Sequence, residues 1–127
     1  MEINIPQGQR GENQVMVDDT NTAKAHGSGL IDVFATPAMV ALMENTAHTS
    51  IQNFLPSGMV SVGIEINLKH IKATPRGIKV RCTSVLKEIN GKRLYFCIEA
   101  FDEFGKIGEA THTRYVVDAV GFVERLK

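Results

Sequence analysis

The sequence predicts an α+β domain in which an antiparallel sheet wraps around one long central helix. Three observations support this fold class: helical periodicity over residues 37–54, apolar and polar residues that alternate from residue 60 to residue 117, and short connections between the resulting strands. Strands joined by short connections pair antiparallel, and a single helix then covers one face of their sheet. A chain of 127 residues with one such core is expected to form a single domain over residues 1–127.

The segment before the helix carries weaker signals. Residues 1–13 are polar and lack periodicity, which predicts a loose lead-in, and residues 15–22 alternate weakly, as a first strand would. The segment His26-Gly27-Ser28-Gly29 contains two glycines. It is therefore either a flexible connector or a loop that faces substrate.

Thr36 and Pro37 mark the start of the helix. Threonine is a favoured N-cap, and the fixed φ of proline suits the first helical position. Apolar residues then recur at spacings of one, three and four: Met39, Val40, Met43, Ala47, Ile51 and Phe54. The helix is expected to run from Pro37 to about Phe54 and to end before Pro56.

Four strands are predicted after the helix, over residues 60–70, 78–88 and 92–102 and through a last segment that ends at residue 117. In the first of them, one face carries Val60, Val62, Ile64, Ile66 and Leu68. His70 continues this apolar set and should face the helix, whereas Gly63 is expected on the opposite face.

Asn90-Gly91 predicts the turn between the second and third of these strands. A three-residue loop with a bulge at Gly91 would pair Cys82 with Ile98 and Leu86 with Leu94, so that one apolar face meets another. This register also places Cys82 and Cys97 on opposite faces of the sheet.

Composition excludes several classes of function. The 14 basic and 14 acidic residues balance to a net charge of zero, which argues against nucleic-acid or anionic-membrane partners. No run approaches the ~20 apolar residues of a membrane span, and the first residues lack a secretory pattern, so a cytoplasmic protein is expected. Two cysteines are too few for a zinc motif or a disulfide framework, and we predict that both are reduced and that no metal is bound.

Thr36, Glu44 and His70 place a hydroxyl, a carboxylate and an imidazole in apolar surroundings. Each has a structural alternative: Thr36 as the helix N-cap, Glu44 as the partner of His48 four residues later, and His70 as a core histidine bonded to a backbone carbonyl. Eight helical residues span ~12 Å, so Thr36 and Glu44 meet only if the helix begins later or a partner subunit closes the gap.

Residues 33–47, with their Thr-Pro-Ala-Met helix entry, together with Val62-Gly63 and His70, resemble the hotdog-fold thioesterases of the fluoroacetyl-CoA thioesterase type. The similarity extends from the loop at residues 26–29 to Thr111-His112-Thr113-Arg114. It implies a hotdog homodimer, or a dimer of dimers, that hydrolyses a small acyl-CoA thioester with water as the acyl acceptor. Coenzyme A is then part of the substrate, and no separate cofactor is implied.

The resemblance also implies residue roles. Thr36, Glu44 and His70 would be catalytic, with Glu44 acting as general base toward water or as nucleophile through a transient anhydride, and His70 transferring a proton or orienting substrate. Substrate binding would fall to Gly63 near the acyl group, to Arg114 at the CoA moiety, and to Phe34, the aromatic residue beside the helix entry. The structural alternatives are a bulge or a sheet contact at Gly63 and a solvated strand charge at Arg114.

Leu30 and Ile31 occupy the region where the fluoroacetyl-specific enzyme has aromatic gating. This departure favours a general short-chain or aromatic acyl-CoA thioesterase over a fluoroacetyl-specific one. Two other functions remain open: a non-catalytic hotdog dimer that binds or senses acyl-CoA, and an enoyl-CoA hydratase. The hydratase is less favoured because its histidine usually lies at the helix entry, where this chain has Thr36.

Overall fold

Five antiparallel strands form one sheet against a long helix in the computed structural model, which describes residues 2–127. The elements in chain order are β1 (Arg10–Met16), α1 (Thr36–Gln52), β2 (Met59–His70), β3 (Lys79–Asn90), β4 (Arg93–Asp102), β5 (Gly105–Asp118) and α2 (Ala119–Glu124). The predicted α+β class is confirmed. The strand order β1-β3-β4-β5-β2 leaves β1 and β2 at the two edges of the sheet.

Helix α1 begins at Thr36 and runs without interruption to Gln52. Ala35 is the N-cap and has an extended backbone, and no side chain caps the helix. Thr36 as the N-cap is therefore wrong, and its hydroxyl is left for another partner. Met39, Met43 and Ile51 are fully buried against the sheet, and burying each such side chain contributes roughly 1.5–3 kcal/mol to folding.

The first strand lies earlier than predicted, at residues 10–16 rather than 15–22. Its inward positions are Gly11, Asn13 and Val15, so the apolar alternation that marks most strands is almost absent. A Cβ at position 11 would lie 2.6 Å from Cβ of Ser50 on α1. The helix therefore approaches the strand so closely at position 11 that only glycine fits. Because glycine stands where an apolar side chain would be expected, β1 lacks the apolar alternation that marks a strand in the sequence.

The β3–β4 hairpin turns one residue later than expected. Asn90 pairs with Arg93, so Gly91 and Lys92 form a two-residue loop, in which Gly91 has the positive φ of 63° that glycine tolerates. The extra residue lies at Lys87 on β3, between the pairs of Leu86 and Glu88. The predicted bulge at Gly91 is therefore wrong.

The predicted pairing of β3 with β4 is wrong by two residues. Cys82 lies opposite Ala100 rather than Ile98, and Leu86 lies opposite Phe96 rather than Leu94. Because a shift of two residues keeps each side chain on its own face, one apolar face still meets another. Cys82 is buried, Cys97 is exposed and both are free, as predicted.

A bulge in β2 changes which residues face the helix. Gly63 pairs with Arg114 and Glu65 pairs with Thr113, so Ile64 is an extra residue without its own partner on β5. One inserted residue reverses the alternation of side chains along a strand. Gly63 therefore lies on the same face as His70, and its predicted placement on the opposite face is wrong.

Candidate active site

The side chains of Thr36 and His70 are in direct contact at one end of α1. Thr36 Oγ1 lies 2.8 Å from Nδ1 of His70, which joins the first residue of the helix to the last residue of β2. Phe34 packs edge-on to the imidazole with ring centroids 6.4 Å apart, and it is 1% exposed. These three residues line an open cavity of about 340 Å³ together with Ser28 and Lys72.

Burial lowers the pKa of His70, and the Lys72 backbone opposes this with a smaller effect. The imidazole is therefore neutral near pH 7 and can exchange a proton with the Thr36 hydroxyl. Nε2 is buried and, within residues 2–127, has no hydrogen-bond partner. The direct side-chain contact of this ring is with Thr36, and a backbone group, that of Lys72, makes only the smaller contribution to its pKa.

Glu44 lies two helical turns further along α1, in a different cluster. Its Oε2 accepts a hydrogen bond from Nη1 of Arg114 at 3.2 Å and lies 3.8 Å from Nε2 of His112. The Glu44 side chain is 37% exposed and that of Arg114 is 7% exposed. The alternative pairing of Glu44 with His48 therefore does not describe this carboxylate, whose partner is a buried arginine on β5.

Arg114 is fixed on its other side by Ser61 of β2. Its Nε donates to Oγ of Ser61 at 2.7 Å, and its Nη2 donates to the Ser61 carbonyl at 2.9 Å. Arg114 is only 6% exposed, so the alternative of a solvated strand charge is wrong. The guanidinium faces the helix side of the sheet and presents Nη1 to the carboxylate.

Gly63 lies against this ion pair. A Cβ at this position would collide with Oε2 of Glu44 and would lie 3.3 Å from Nη1 of Arg114 and from Cε1 of His112. Glycine therefore leaves the space that the carboxylate and guanidinium occupy. The bulge alternative is also correct, since the extra residue of β2 follows Gly63 directly.

The three predicted catalytic residues form two sites within one chain, and not one. Helix α1 is unbroken from Thr36. Its axial rise therefore separates Thr36 from Glu44 by ~12 Å. Six residues of β2 lie between Gly63 and His70, a span of roughly 20 Å. A later helix start does not describe α1, and one chain by itself does not bring Thr36 and Glu44 together.

An open cavity of about 720 Å³ adjoins the Glu44 cluster and is lined by α1, β2 and β5. Arg114, Ser61, His48, Gln52 and Asn53 are among its lining residues. Sequence reasoning missed Ser61 and His112 as members of this cluster. The two-residue spacing of His112 and Arg114 was an available signal, because residues i and i+2 of a strand share a face.

Residues 2–127 contain no membrane-spanning helix and no metal-binding cluster. Within this part of the chain, no helix has the length and apolar character needed to cross a bilayer. The same residues bring together no group of three or more His, Cys, Asp or Glu side chains suited to hold a metal ion.

The five-stranded antiparallel sheet on one long helix is the hotdog fold, which solved thioesterase structures share. The family model for fluoroacetyl-CoA-specific thioesterases matches residues 17–120, and this chain belongs to that family. The predicted resemblance is thereby confirmed.

Individual relatives agree with this assignment. The fluoroacetyl-CoA thioesterase of Streptantibioticus cattleyicolor is 35% identical over 96 residues, which cover 76% of this chain and 69% of that protein. A mutant of a fluoroacetyl-CoA-specific thioesterase superposes with a TM-score of 0.91 at 29% identity, covering 98% of this chain and 97% of its own. A thioesterase superfamily member from Thermus thermophilus gives a TM-score of 0.87 at 26% identity, covering 97% and 90%.

Proposed function

We propose that this protein hydrolyses small acyl-CoA thioesters to a free acid and coenzyme A. The observation that carries the proposal is the Glu44 carboxylate, held by buried Arg114 against the open backbone of Gly63. Membership of a thioesterase family supports the same activity. No cofactor enters the reaction, since coenzyme A arrives as part of the substrate.

The residues supply the three functions that thioester hydrolysis requires: a nucleophile, a proton-transfer group and donors for the developing oxyanion. Glu44 acts as general base toward water or as the nucleophile itself. Thr36 and His70 exchange protons across their 2.8 Å contact. The N-terminus of α1 favours negative charge, and there Ala38 offers a backbone N–H that, within residues 2–127, has no backbone acceptor.

A homodimer completes this site. β2 is a 12-residue edge strand, and pairing two copies about a two-fold axis extends the sheet and removes an exposed edge. An axis near the middle of β2 places the end of the strand in one protomer beside its start in the other. Thr36 and His70 of one protomer then face the cavity beside Glu44 of its partner, and two such dimers can form a dimer of dimers.

Short-chain or aromatic acyl groups are the proposed substrates, rather than fluoroacetyl alone. Leu30 and Ile31 lie on the loop before α1 with 90% and 68% of their surface exposed. Phe34, in contrast, is buried behind His70, so it supports the imidazole and lines the cavity without closing it. The two free cysteines and the intracellular nature of acyl-CoA support a cytoplasmic location.

Thiol release from a panel of acetyl-, fluoroacetyl-, butyryl-, benzoyl- and crotonyl-CoA tests the proposal. We expect turnover of several of these acyl-CoA substrates, and we expect kcat/KM for fluoroacetyl-CoA to be similar to that for the others. Binding without turnover on every member would instead establish the acyl-CoA sensor. Addition of water to crotonyl-CoA without thiol release would establish the hydratase.

A further inference from the structure

His112 is a buried residue to which the proposed reaction assigns no role. It lies on β5 beside Arg114, is 3% exposed, and forms hydrogen bonds through both ring nitrogens. Nδ1 lies 2.8 Å from the Glu65 carbonyl, and Nε2 lies 3.2 Å from Nη1 of Arg114. A carbonyl oxygen only accepts and a guanidinium only donates, so the ring donates through Nδ1 and accepts through Nε2.

This tautomer is the neutral form of the imidazole. Burial lowers the pKa of His112, and the nearby Arg114 acts in the same direction, while the Glu65 carbonyl and Glu44 oppose them. Protonation would place a second N–H on Nε2, directed at the donor Nη1 of Arg114. The hydrogen-bond pattern around the ring therefore requires the neutral acceptor.

Nη1 of Arg114 lies between two acceptors, Oε2 of Glu44 and Nε2 of His112, each at 3.2 Å. Its two hydrogens match these two acceptors. Ser61 holds the opposite edge of the same guanidinium. The guanidinium of Arg114 is therefore held at both edges, by hydrogen bonds to Ser61 of β2 and to His112 of β5. These bonds fix the direction from which Nη1 donates to the carboxylate.

We propose that His112 is a positioning residue for thioester hydrolysis: as a hydrogen-bond acceptor it orients Arg114, which in turn holds the Glu44 carboxylate beside Gly63. The proposal rests on the proposed function, because it assigns catalysis to Glu44. Through the Glu65 carbonyl, His112 also joins this cluster to the residue that follows the β2 bulge. The bulge and the carboxylate are thereby held in one hydrogen-bonded unit.

Two matched substitutions separate the acceptor from the donor function of the ring. His112→Gln retains an amide oxygen long enough to accept from Arg114, whereas His112→Asn retains a donor for the Glu65 carbonyl but is too short to reach Nη1. We expect His112→Asn to lower kcat about tenfold to 100-fold with KM nearly unchanged, because a small misplacement of a catalytic group costs rate. His112→Gln should recover most of that loss.

Thermal unfolding and a control on the same strand make the comparison decisive. Both His112 variants are expected to unfold at lower temperature than the wild type, by similar amounts, while only the asparagine variant loses kcat. Thr111→Val, on the exposed face of β5, should leave kcat unchanged. Equal kcat in the asparagine and glutamine variants, or a loss that follows unfolding temperature, would overturn the positioning role.

This outcome is distinguishable from failure of the proposed function. If the wild type releases thiol and depends on Glu44 but His112→Asn keeps the wild-type kcat, only the role of His112 is refuted. If the wild type releases no thiol from any acyl-CoA, the function itself is refuted, and the role of His112 with it.

Discussion

Glu44→Gln is expected to lower kcat by roughly 100-fold to 10,000-fold, the contribution typical of a general base or nucleophile. Glutamine has nearly the shape of glutamate, and its amide oxygen can still accept the hydrogen bond from Arg114. The amide can neither remove a proton from water nor form an anhydride. Steady-state thiol release at saturating acyl-CoA measures the loss directly.

Glu99→Gln is the matched control for this substitution. Glu99 lies on β4 and forms an exposed ion pair with Lys106 at 2.9 Å, away from the Glu44 cluster. The Glu99→Gln substitution should leave kcat and KM unchanged. A Glu44→Gln variant that retained kcat within about threefold would show that the carboxylate is not the reacting group.

Gly63→Ala is expected to lower kcat by about 100-fold, because the added methyl group collides with Oε2 of Glu44 and displaces the carboxylate. The carboxylate ends a flexible side chain that is 37% exposed, so it can swing away. The stability cost should be about 1–3 kcal/mol, as for other overpacked sites. Thiol release and urea denaturation measure the two effects.

A double-mutant cycle isolates the contact between Gly63 and Glu44. In a Glu44→Ala background the colliding oxygen is absent, so Gly63→Ala should destabilise the protein less than it does in the wild type. The remaining cost reflects the contacts of 3.3 Å with Arg114 and His112. If the alanine costs the same stability in both backgrounds, the carboxylate does not occupy this space.

The helix and the strands whose apolar residues recur with a regular period could be predicted from the sequence. Helix α1, β3 and β4 largely follow the period that their apolar residues display, and β2 follows it from Ile66 onward. β1 could not be found this way, because its inward positions are Gly11 and Asn13 as well as Val15. The close packing of β1 against α1 requires glycine at position 11, so the apolar residues of β1 do not alternate.

Some features of the candidate site could also be predicted from the sequence, and others could not. The orientation of His70 toward the helix could be predicted from strand parity. The face of Gly63 could not, because Val60, Val62, Ile64, Ile66 and Leu68 alternate regularly through the point where Ile64 is inserted as a bulge. The separation of Thr36 from Glu44 followed from helical rise alone, whereas the partners of Glu44 depend on the pairing of β2 with β5.

Complementation between two inactive variants tests the two-subunit site most directly. Thr36→Ala and Glu44→Gln protomers, mixed by denaturation and refolding at equal amounts, form about half heterodimers, each with one intact site if Thr36 and Glu44 act across the interface. The account predicts recovery of about one quarter of wild-type thiol release, although each variant alone is inactive. If the mixed sample remains as inactive as its parents while heterodimers are demonstrably present, the site does not span two subunits.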